Sequence, residues 1–196
     1  MRRTTRLTVL VVGLLSLLGA VSATAGAVTW HNSGSTNFTA TTGASTFSST
    51  SAALNCTGGA MTGDAPTGAT VAVTYIERGT STFSGCSLSG IATGVDCAYT
   101  LTGTTQPSAG VTTGDIDTTC GVYQFNTKVC HIEGTVHFVQ TTASGTVTLT
   151  LTTGGNLVAT NAPTGTCPLG HGDRMHVTDM TERTTSANPP IITRTA

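Results

Sequence analysis

Thr146-Val147-Thr148-Leu149-Thr150-Leu151-Thr152 alternates apolar and hydroxyl side chains without a break. Successive side chains of an extended strand point to opposite faces, so Val147, Leu149 and Leu151 share one face and the threonines the other. The same period runs elsewhere. Val71, Val73 and Tyr75 alternate with Thr70, Ala72 and Thr74, and Val95, Cys97, Tyr99 and Leu101 with Asp96, Ala98, Thr100 and Thr102. Cys130, Ile132, Val136 and Phe138 oppose His131, Glu133, Thr135 and His137. Weaker strand candidates lie at 27–30, 36–40, 46–49, 52–56, 121–126, 156–160 and 174–180. Thr, Val and Gly, which dominate the chain, are poor helix formers. Turn signals such as Thr57-Gly58-Gly59, Gly63-Asp64-Ala65-Pro66 and Gly154-Gly155 separate the strands. Many short strands at close spacing predict an all-β fold: a single-domain antiparallel β-sandwich, Ig-like or jelly-roll-like, with a barrel as the alternative.

The N-terminus reads differently. Arg2, Arg3 and Arg6 precede an apolar run from Leu7 to Val21, and Ala23-Thr24-Ala25 follows. A basic start, a short apolar core and an Ala-x-Ala sequence make residues 1–25 a secretory signal peptide. The expected organisation is a signal at 1–25, a disulfide-stapled β domain at 26–183 and a flexible tail at 184–196, with an edge strand at Ile191-Ile192 as the other reading of the tail. Cleavage would leave five basic against nine acidic residues, a net charge of −4. So few cations give no footprint for phosphate backbones or anionic lipid, so nucleic acid and membrane surfaces are excluded as partners of the mature chain. No cofactor motif is present.

All six cysteines, Cys56, Cys86, Cys97, Cys120, Cys130 and Cys167, fall in the exported part. An even number in an oxidising compartment implies disulfides, and no Cys/His spacing matches a zinc ligand set. Six cysteines allow fifteen pairings. Local closure favours Cys86–Cys97 and Cys120–Cys130, with Cys56–Cys167 tying the ends together.

Candidate functional residues are few. His131 and Glu133 stand two apart on one strand face, ~7 Å from each other, where both can reach one metal ion; His137, ~20 Å along, cannot join them. The plain alternative is a solvated strand face. Gly170-His171-Gly172-Asp173-Arg174 puts a His and an Asp in a glycine-rich loop after Cys167, the base and orienter of a nucleophilic triad. No Gly-x-Ser-x-Gly nucleophile accompanies them, and a tight turn with a local Asp173–Arg174 contact is the simpler reading. Asp115 and Asp117 are the only close acidic pair flanking a Cys-bounded turn, where two carboxylates more often face water. The threonines of 146–152 resemble the ice-binding faces of some antifreeze proteins, but no fixed repeat period extends the array. Asn37-Phe38-Thr39 and Asn55-Cys56-Thr57 match the glycosylation pattern by chance in a bacterial-style chain.

Asn37-Phe38-Thr39-Ala40, Leu54-Asn55-Cys56-Thr57, Phe83-Ser84-Gly85-Cys86 and Cys167-Pro168-Leu169-Gly170-His171-Gly172-Asp173 carry a resemblance to small secreted Thr/Gly-rich, cysteine-stapled actinobacterial proteins. That resemblance implies export and no activity. The composition is also similar to that of neocarzinostatin-like β-sandwich apoproteins, which carry apolar chromophores, although none of their motifs maps here. The expected function is a non-catalytic binding or envelope-associated structural module. The alternatives are a carrier of a small apolar ligand lined by Tyr75, Tyr99, Phe125 and Phe138, or a metal-assisted hydrolase using His131/Glu133 or His171/Asp173.

Overall fold

The structure is a computed structural model that describes residues 29–66, 68–71, 76–152, 154–163, 166–178 and 180–195. The expected signal peptide at 1–25, Val73 and Tyr75 lie outside the described residues.

The all-β expectation holds: the described residues form strands and no helix. The first six strands are short: β1 (Thr29–Asn32), β2 (Asn37–Thr42), β3 (Ser45–Ser48), β4 (Ala53–Cys56), β5 (Gly58–Asp64) and β6 (Gly68–Val71). Four long ones follow, β7 (Glu77–Leu88), β8 (Ile91–Ser108), β9 (Val111–Gln124) and β10 (Thr127–Ala143). Then come β11 (Thr146–Thr152), β12 (Val158–Asn161), β13 (His176–Thr178), β14 (Thr181–Thr184) and β15 (Ile192–Thr195).

Of the two closures expected, the barrel is the one formed. Antiparallel pairing runs β7-β5-β2-β14-β11-β10-β9-β8, and β8 pairs back onto β7, closing an eight-stranded ring. The cause lies in β7 to β10. They are consecutive hairpins of 12 to 18 residues, and long paired strands accumulate twist until their edges meet. Their turns at Ser89-Gly90, Phe125-Asn126 and Ser144-Gly145 all hold two successive residues at positive φ, the primed geometry that matches strand twist.

The long strands outrun the ring. On β7, residues 78–84 pair with β5, whereas Ser87 and Leu88 pair with β4. On β10, residues 137–143 pair with β11 and residues 130–133 with β12. Two cores are therefore stacked along β7 to β10. The ring encloses Phe38, Met61, Tyr99, Leu101, Ile116, Phe138 and Leu149, joined by Trp30 and Ile192 from the small β15-β1-β6 sheet. The upper core holds Phe47, Leu54, Leu88, Val95, Val122, Ile132, Leu169, Val177 and all six cysteines. Each large apolar side chain buried there contributes ~1.5–3 kcal/mol.

The disulfides are Cys56–Cys86, Cys97–Cys120 and Cys130–Cys167, so neither of the two locally closed pairs forms, nor does the expected Cys56–Cys167 bridge. Register is the reason. Cys97 stands directly opposite Cys120 on β8 and β9, but Cys86 faces Thr93, leaving Cys97 opposite Ser81. Cys120 faces Ile132 while Cys130 faces Val122. Closeness in sequence thus put Cys86 and Cys97, or Cys120 and Cys130, on neighbouring strands without making them partners. Near the chain's end, β15 pairs with β1 at the edge of the small sheet, and Pro189 and Pro190 are buried.

Candidate functional site

The surface candidates do not converge. His131 and Glu133 lie side by side on the outer face of β10, His131 between Gly121 and Thr160 and Glu133 between Thr119 and Val158. Glu133 borders an open groove with Asp117, Thr119 and Asn156. Among the described residues, no three His, Cys, Asp or Glu side chains are grouped to hold a metal ion. His137 meets Asp115 across the β9–β10 ladder instead, Nδ1 to Oδ1 at 2.5 Å. Asp117 accepts a 2.7 Å hydrogen bond from the Thr135 hydroxyl.

The His171 loop is a turn whose polar groups look in different directions. Nδ1 of His171 accepts the Asn161 amide at 3.2 Å. Asp173 accepts from the hydroxyls of Ser51 at 2.7 Å and Thr50 at 2.8 Å, and these bonds hold its carboxyl below the usual range. Arg174 is exposed and joins Val158 through a backbone bridge. His171 and Asp173 therefore do not form a base and its orienter, and the expected Asp173–Arg174 contact is replaced by the two hydroxyls.

Of the residues expected to line an apolar ligand, Tyr99 borders an interior cavity of about 40 Å³ with Phe47, Met61, Phe83 and Glu182. Ligand pockets run to ~300–1,000 Å³, so this void is too small for a drug-sized molecule. Phe138 is packed in the ring core, and Phe125 is 85 % exposed.

What the ring does hold is a pair of acids absent from the sequence candidates. On β7 the inward set is Glu77, Ser81 and Phe83, and on β14 Glu182 points inward between exposed Thr181 and Arg183. Both carboxyl groups are nearly inaccessible, at 4 % and 3 % exposure. Glu77 accepts a 2.7 Å hydrogen bond from Nε2 of buried Gln140. Burial pushes its pKa up to about 7, against the lowering effect of that bond. Burial pushes Glu182 up to about 8, and the charge of Glu77 adds to the rise. No hydrogen bond among the described residues reaches the Glu182 carboxyl, and neither salt bridge found there involves the pair. Thr42, opposite Glu182 on β2, has a buried hydroxyl without a partner. The Tyr99 hydroxyl, donating to the Thr62 carbonyl at 3.4 Å, is raised above its ordinary pKa by burial, then by Glu77, Glu182 and Asp64. Parity was the available signal: with Phe83 inward, positions 81 and 77 follow, and with Met180 inward, so does Glu182.

The opposite kind of anomaly sits at the β9–β10 turn. Phe125 and Ile91 are the exposed large hydrophobics of the described residues, and both border one open groove with Tyr123 and Asn126. Phe125 adopts φ +50°, a conformation that costs a bulky residue energy and suits Asn or Gly. No protein family model matches this chain, and no curated protein or solved structure matches it either.

Proposed function

We propose that this is a secreted, disulfide-stabilised β-barrel that serves as a non-catalytic binding module at the cell envelope. Its contact surface is the hairpin end carrying Phe125 and Ile91. The observation that carries the reading is Phe125: a phenyl ring held in water on a strained backbone contributes nothing to the fold, and such local violations gather where a partner is met. Three buried disulfides suit an oxidising extracellular setting, and the signal-like residues 1–25 supply the route. The mature protein should sediment with an insoluble cell-envelope fraction, and Phe125→Ser should abolish this while leaving the melting temperature unchanged. Failure of the wild type to sediment, or equal sedimentation of the variant, would remove the proposal.

A further inference from the structure

β14, at four residues, is the shortest strand of the ring and the one furthest along the chain. Residues 181–183 pair with β11 and residues 182–184 with β2, whereas β9 follows β10 from Val111 to Gln124. Its grip on the interior is also of a different kind. Each other ring strand buries at least one large apolar side chain, such as Phe38 on β2, Met61 on β5 and Leu149 on β11, but the buried residue of β14 is Glu182. Protonated, that side chain fills its place without charge. Ionised, it is a buried anion with no cation beside it, because the salt bridges of the described residues, Arg78–Asp64 and His137–Asp115, stand on the exposed surface. Such a charge is costly until water reaches it.

We propose that β14 is a pH-operated gate, which closes the ring while Glu182 is protonated and leaves the gap between β2 and β11 when Glu182 ionises. The groups around Glu182 favour this route. Glu77 faces it from β7 and repels its anion, and Tyr99 of β8 is the other titratable side chain it feels, with Asp64 of β5 acting on Tyr99. β2, β5 and β11 turn uncharged side chains inward. Flanking hydrogen bonds from Gly43 N–H to the Thr181 carbonyl and from Thr185 N–H to the Thr39 carbonyl hold the strand, but each adds little net stability once water can replace it. The chain on either side stays anchored, by Met180 in the upper core and by buried Pro190 and the β15–β1 pairing. Release is therefore local. In the closed ring burial holds Glu182 at about 8, and in the open strand it returns to about 4.5. The closed form keeps a proton that the open form loses, so closure is strongest below about pH 4.5 and weakens ~tenfold per pH unit up to about 8.

The test is hydrogen exchange read by mass spectrometry on the full chain, exchanged with disulfides intact at pH ~6 and ~8, each rate divided by the intrinsic rate at that pH. Peptides covering 181–184 should show an opening constant up to ~100-fold larger at the higher pH, while peptides from β9 and β10 keep theirs. Glu182→Gln should remove the rise. At a fixed pH of ~8.5, trypsin should cut the Arg183–Thr184 bond at least ~tenfold faster in wild type than in that variant. If the variant does not fold, the wild-type profile decides, through a rise confined to 181–184. Equal opening constants at both pH values, or a rise shared by β9 and β10, would show that the strand does not open on its own. A rise that persists in the folded Glu182→Gln variant would assign it to another group. Any of these three results overturns the proposal.

Discussion

Replacing Glu182 by glutamine should flatten the dependence of stability on pH. A carboxyl whose pKa is raised by folding stays protonated in the barrel after the unfolded chain has ionised. The unfolded state then binds fewer protons, so stability falls as pH climbs from about 4.5 and levels off above about 8. At ~1.4 kcal/mol per pKa unit, the rise of Glu182 from 4.5 to about 8 corresponds to about 5 kcal/mol lost across that window. Part of it belongs to Glu77, whose charge contributes, so the loss is a property of the pair. Glutamine keeps the shape and removes the ionisation, but its buried amide costs ~1–3 kcal/mol if it stays unpaired. The expected net at pH ~9 is a variant more stable than wild type by about 2–4 kcal/mol, shrinking to no gain at pH ~4. Urea unfolding of both proteins from pH ~4 to ~9 reads this directly. Parallel pH profiles, or a variant equally destabilised at every pH, would refute a protonated acid inside the ring.

Other parts of the fold carry their own tests. A methyl group on Gly79 would fall 2.1 Å from the Thr62 carbonyl oxygen and 2.6 Å from the Tyr99 hydroxyl. Gly79→Ala should therefore cost ~1–3 kcal/mol or more, lowering the urea midpoint; an unchanged midpoint would mean that β5 and β7 do not approach so closely. Phe138 is 1 % exposed in the ring core, so Phe138→Ala should cost ~3–5 kcal/mol at constant denaturant slope. A loss under 1 kcal/mol would place the ring outside the core.

The sequence made some of this architecture legible and hid the rest for physical reasons. Period-two alternation located β8, β10 and β11 because each buries one face, as in Val147 and Leu149 against the outward threonines. The weaker candidates at 36–40, 46–49 and 52–56 mark β2, β3 and β4 within a residue or two. Closure was hidden because the ring is completed by β14, where Glu182 and Arg183 meet Thr42 and Thr41 from the far end of the chain. Alternation fixes which face a residue shows and leaves open which strand lies beside it. The disulfides failed on the same point. As for the candidate site, clusters close in sequence such as His171 and Asp173 drew the eye, whereas Glu77 and Glu182 become neighbours only once the ring closes.

The register of β7 to β10 holds both cores, the acid pair and the exposed turn in place, and the disulfides report it most directly. Proteolysis of the unreduced protein followed by mass spectrometry should recover peptides joined as Cys56–Cys86, Cys97–Cys120 and Cys130–Cys167. Recovery of Cys86–Cys97 or Cys120–Cys130 peptides in their place would contradict the register, and with it the closed ring.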